Sequence, residues 1–193
     1  MTKSVALFDM DGTLCDYVNA MLRDLEKLRA PGEEFVDPFI FREDPTYQYL
    51  WNRMDLIKSS VEWWANLPRF ELGFDILNMA QDLDYECEIL TQIPKVNSTV
   101  RGAALDGKQR WIAQHLGENI DYTMTRDKSK HYGRVLVDDF PGYIIPWLKH
   151  RKHGLVIMPA NDYNSSYSDS RVIRYDGSNK EEVYSGFVRS LKA

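Results

Sequence analysis

Short apolar runs alternate with helical stretches along most of this chain, and that alternation constrains its fold more than any other feature. Val5–Phe8, Glu86–Leu90, Arg134–Val137, Leu155–Met158 and Arg171–Tyr175 read as strands. Residues 71–83, 106–116 and 179–191 read as helices, with Asp106 a candidate N-cap and Gly117 a stop for the second of them. Strands alternating with helices predict an α/β fold with a mostly parallel sheet flanked by helices. Residues 17–70 break the rhythm. Val18, Met21, Leu22, Leu25 and Leu28 recur at helical spacing before Pro31-Gly32, residues 45–60 suggest another helix, and no strand pattern appears. The expected division is a core of residues 1–16 and 71–193 carrying an inserted helical cap of residues 17–70.

The 193 residues suffice to bury a core without disulfides or a structural metal. The net charge of −5 argues against broad binding to nucleic acid polymers or anionic membranes. It leaves room for a small phosphorylated substrate, which needs only a few local cations. Cys15 and Cys87 form neither a disulfide framework nor a zinc spacing, and point to a reducing, cytoplasmic compartment. The apolar run at the N-terminus is interrupted by Asp9 and Asp11, and reads as neither signal peptide nor anchor. No stretch reaches the roughly 20 apolar residues that span a bilayer.

The chemistry concentrates where strands end. Asp9-Met-Asp-Gly-Thr13 directly follows the first strand, and in open α/β sheets ligands bind beyond the carboxyl ends of strands. Two carboxylates two residues apart on such a turn can share a cation or small ligand. Gly12 permits close backbone approach, and its N–H can point at an anion. Asp-Gly is also an ordinary turn dipeptide. A second acidic pair, Asp138-Asp139, follows Arg134–Val137 and could complete a Mg²⁺ site, since magnesium takes carboxylate, water and phosphate oxygens. Read alone, it is equally a turn. Between the two pairs lie Thr91 at a strand end, Lys108 near a helix start, and Arg126 and Lys128 in Thr-Arg-Asp-Lys. A helix start with a lysine suits phosphate.

The ordered set resembles the haloacid dehalogenase (HAD) superfamily of phosphohydrolases. Within it, Phe8-Asp-Met-Asp-Gly-Thr-Leu-Cys-Asp-Tyr17, Lys108-Gln-Arg-Trp-Ile-Ala-Gln-His-Leu-Gly117 and Thr125-Arg-Asp-Lys-Ser129 ahead of Val135-Leu-Val-Asp-Asp139 are similar to the 5′(3′)-deoxyribonucleotidase family. The resemblance implies a Rossmann-like core with a small helical cap. It implies Asp9 as the nucleophile forming an aspartyl-phosphate, and Asp11 as the acid and then base. Mg²⁺ is implied on Asp9, the Asp11 carbonyl and Asp138, with Asp139 in support. Gly12, Thr91 and Lys108 are implied at the phosphate, and Tyr17, Arg126 and Lys128 on the substrate side. The sequence departs from the family at Gln92, where serine is common, and at Pro94, displaced by one position.

The expected function is Mg²⁺-dependent hydrolysis of nucleoside monophosphates, with deoxyribonucleotides the implied subset. Another small phosphate ester, such as a phosphosugar, and a non-catalytic binding domain are the alternatives. A homodimer is not indicated. Aromatic residues crowd residues 35–74, where Phe39, Phe41, Trp63 and Trp64 serve either as the cap's own core or as a base-stacking surface. His115, His131, His150 and His153 show no zinc pairing, and His150-Arg-Lys-His153 reads as a short solvated basic run.

Overall fold

The computed structural model describes residues 3–39 and 44–192; Phe41 lies outside them. Six strands form one parallel sheet: β1 (Val5–Phe8), β2 (Glu86–Gln92), β3 (Tyr122–Thr125), β4 (Val135–Val137), β5 (Leu155–Pro159) and β6 (Val172–Tyr175). Their spatial order is β3-β2-β1-β4-β5-β6. After β1 the chain builds outward through β2 and β3, then returns to the other side of β1 with β4. The strand order therefore reverses between β1 and β4, which is where ligands bind in sheets of this kind. Register makes this specific. Phe8 pairs with Val137, so the residues that follow, Asp9 and Asp138, leave the sheet side by side.

The helices are α1 (Tyr17–Lys27), α2 (Gln48–Lys58), α3 (Val61–Ala65), α4 (Glu71–Asp82), α5 (Arg101–Leu116), α6 (Pro141–Lys149) and α7 (Lys180–Leu191). The chain forms two compact units. The first holds residues 1–15, 69–92 and 119–193, and thus the whole sheet with α4, α6 and α7. One part of its core joins Leu7, Leu90, Leu136, Val156 and Met158 of the strands to Ile144, Trp147 and Leu148 of α6. Strands this apolar suit a parallel sheet covered on its faces.

The second unit holds residues 16–68 and 93–118. It is helical among its described residues, and beyond residues 16–68 it takes in α5. The reason is packing: α5 lies against α3, and Trp111 Nε1 of α5 donates to Leu67 O at 2.7 Å. Met21, Leu25, Phe39 and Met54 form a core with Tyr17, Trp51 and Trp63 packed against it.

Three elements depart from the sequence reading. β3 is half-exposed and threonine-rich, and carries little apolar signal. α6 contains Pro141 and Pro146. Pro141 suits a first helical position, and the burial of Ile144, Trp147 and Leu148 overrides the interior proline. α5 begins at Arg101, so Asp106 is an interior residue rather than an N-cap, and Lys108 sits two turns inside rather than at the start. Gly117 does end it, at φ +93°.

Candidate active site

Asp9 and Asp138, set side by side by the β1–β4 register, are both buried, and so is Asp139. One carboxylate oxygen from each of the three lies within 4.8 Å of the others. The cation among them is Lys128, in the turn after β3. Its ammonium lies 2.7 Å from Asp9 Oδ1 and 2.6 Å from Asp138 Oδ2. Lys128 is itself only 2% exposed. The resemblance implied a substrate-facing Lys128; the structure makes it the counter-ion of these carboxylates.

The site loop is held on every side. Thr13 Oγ1 donates to Asp139 Oδ1 at 2.9 Å, and Tyr163 Oη donates to Asp139 Oδ2. Asn164 Nδ2 donates to Asp139 O, and the Phe140 N–H to Asp138 Oδ1. Gly12 has φ +79°, and a Cβ there would lie 2.5 Å from Asp139 Oδ2. Its N–H does not face an anion, as the sequence suggested. It donates to Cys15 O at 2.9 Å, closing the loop on itself. Gly73 of α4 lies against the same loop from below, where a Cβ would fall 1.7 Å from Thr13 O. Asp11, partly exposed, bridges to Cys15, whose Sγ is 3.8 Å from Asp11 Oδ1.

The electrostatics follow from burial. Desolvation pushes Asp139 well above the ordinary carboxylate range, and the charges of Asp138 and Asp9 push it further. Asp138 is raised chiefly by burial, against the pull of Lys128. Burial opposes the Lys128 ammonium, but the charges of Asp138 and Asp9 outweigh it and raise its pKa. Were all three carboxylates ionised, they would exceed the single ammonium by two negative charges; burial and that excess together hold Asp139 and Asp138 above the ordinary range. Asp9 Oδ1 has the Lys128 ammonium as its partner. A hard divalent cation with oxygen preference fits this donor set in charge and chemistry.

Thr91 is fully buried near the end of β2, and Arg126 is exposed beyond β3. Lys108 and Tyr17 belong to the second unit. There Lys108 is 1% exposed, its ammonium 5.2 Å from the Trp64 ring centre. Tyr17 stacks on Trp64 at 5.7 Å and meets Phe39 and Trp63 edge-on. These rings pack on one another within the second unit. Sequence reasoning missed Tyr163 and Asn164, whose only signal was a polar Asn-Asp-Tyr-Asn run after β5. Cys87 is half-buried, its thiol pushed up to about 12 by desolvation.

The six-stranded parallel sheet and its flanking helices form a Rossmann-like α/β fold that solved HAD-type hydrolases share. Solved structures agree along the whole chain. A haloacid dehalogenase-like hydrolase from Burkholderia xenovorans is 17% identical, with TM-score 0.51 and full coverage of both chains. The HAD-hydrolase YfnB from Bacillus subtilis, bound to magnesium, is 12% identical at TM-score 0.51, covering 96% of this chain and 98% of its own. A beta-phosphoglucomutase-like protein from Bacteroides vulgatus is 10% identical at TM-score 0.51, covering 99% and 91%. No protein-family model and no curated protein matches the chain.

Proposed function

We propose that the protein is a Mg²⁺-dependent phosphomonoesterase of nucleoside monophosphates, with deoxyribonucleotides the favoured subset. The observation that carries the reading is the buried group of Asp9, Asp138, Asp139 and Lys128 at the point where the strand order reverses. Asp9, the Asp11 carbonyl and Asp138 would hold Mg²⁺ with Asp139 in support, and the ion would offset the repulsion between carboxylate and phosphate.

Asp9 attacks phosphorus, and the P–O bond to the nucleoside breaks as Asp11 protonates the departing oxygen. Asp11 then takes a proton from water, which attacks the aspartyl-phosphate, releases phosphate and restores Asp9. Lys128 holds Asp9 in place and supplies positive charge beside it. Thr91 and Arg126 are the proposed phosphate and substrate contacts of the same unit. The nucleoside half rests on the motif resemblance. A phosphosugar substrate is the second reading, favoured by the likeness to a beta-phosphoglucomutase-like fold.

Phosphate release from a panel of nucleoside 5′- and 3′-monophosphates and sugar phosphates, with Mg²⁺ and with EDTA, tests the proposal. Nucleotide turnover abolished by EDTA supports it. Preference for sugar phosphates moves the assignment to the second reading, and no turnover of any ester overturns both.

A further inference from the structure

A second pocket lies at the opposite end of the same sheet. A cavity of about 310 Å³ is lined by Tyr132 and Arg134, just before β4, and by His150, Arg151, Lys152 and His153, between α6 and β5. No carboxylate lines it. Arg134 precedes β4 and Asp138 follows it. Four residue steps at roughly 3.3 Å therefore separate the two sites by about 13 Å along one strand.

The basic run His150–His153 is largely exposed, as the sequence reading expected, and with Tyr132 and Arg134 it lines this half-open surface pocket. Arg151 is fixed in the wall of that pocket. Its Nη2 donates to His131 O at 2.5 Å and its Nη1 to His150 O at 3.3 Å. Its guanidinium lies 5.4 Å from the Trp147 ring centre and 5.8 Å from that of Tyr132. Its Nε is buried and has no hydrogen-bond acceptor among the described residues. Holding three permanent cations and two imidazoles around one cavity, in a chain of net charge −5, concentrates positive potential there.

We propose that this cavity binds a small, multiply charged anion, namely a molecule carrying two or three linked phosphates. Its volume lies at the small end of ligand sites, roughly 300–1,000 Å³. Three cations, one of them held in place, answer a phosphate chain better than a single phosphate, with arginine donors matched to phosphate oxygens. The Tyr132 ring, 69% exposed at the rim, offers a flat apolar face to whatever the phosphates carry. The inference does not depend on the proposed phosphatase activity.

The test is a titration of metal-free full-length protein with sodium tripolyphosphate at physiological salt, followed by the imidazole proton resonances of His150 and His153. Saturable shifts are expected, with orthophosphate at least tenfold weaker. The exposed substitution Lys152→Glu should weaken tripolyphosphate at least tenfold, and Arg134→Gln should do so independently, both with unchanged thermal unfolding. Shifts that rise without saturating, an affinity unaltered by Lys152→Glu, or equal affinity for orthophosphate would overturn the proposal.

Discussion

Lys128 is the residue on which the acidic site turns, because one buried ammonium serves two buried carboxylates. Replacing it with methionine keeps most of the packing and leaves Asp9 and Asp138 without their counter-charge. Breaking a buried pair in this way costs about 3–5 kcal/mol. Lys128→Met is therefore expected to lower stability by that order in EDTA, measured by urea unfolding, with Mg²⁺ returning part of the loss. Asp9→Asn changes the chemistry with little change in shape. It is expected to lower phosphate release by about a thousandfold or more, in the range seen when a nucleophile is removed, while circular dichroism and Tm stay close to wild type. Full activity in that variant would remove Asp9 from the nucleophile's role. The aspartates of this site were legible in sequence because each follows an apolar strand. Lys128 stood out in the sequence but not as a counter-ion, since sequence order cannot say that the turn after β3 folds back on the ends of β1 and β4. Tyr163 and Asn164 carry no periodic or motif signal and become visible only through their hydrogen bonds to Asp139.

At the scale of elements, α4 and the Asp9–Thr13 loop form one packed piece. Gly73 lets the helix backbone meet Thr13 O, and the Phe70 N–H donates to Leu14 O at 2.9 Å. Gly73→Ala adds one methyl where the neighbour is backbone and cannot step aside. Overpacking of this kind costs about 1–3 kcal/mol. A shift of the loop follows, so the variant is expected to lose both stability and Mg²⁺ affinity, read by thermal unfolding and by metal titration calorimetry. The strands and long helices were legible because burial imposes their periodicity. The elements that escaped, β3 and α6, and the misplaced start of α5 share a cause. Threonines, prolines and glycines give them weak local propensity, and tertiary packing supplies what the local sequence lacks.

For the whole molecule, the buried carboxylates tie stability to pH. Burial raises the Asp138 and Asp139 pKa values above the ordinary carboxylate range, so above that range the folded protein holds protons that the unfolded chain has released. Their contribution therefore falls as pH climbs through the folded values. In EDTA, Tm is expected to decline as pH rises from 5 to 8. Mg²⁺, which favours the ionised carboxylates, should flatten or reverse that slope; identical slopes with and without metal would separate the ion from these groups. The sheet order carries a last consequence, one of timing. β1 is synthesised before the other strands of its sheet, yet its neighbour β4 lies 129 positions on, as the pairing of Ala6 with Val135 shows. A nascent chain holds Asp9 on a half-paired strand until Val135–Val137 has emerged, and contacts so distant in sequence are slow to close. During that interval β1 presents an apolar, unpaired edge. Synthesis of this protein thus passes through a stage in which its central strand is its most association-prone segment.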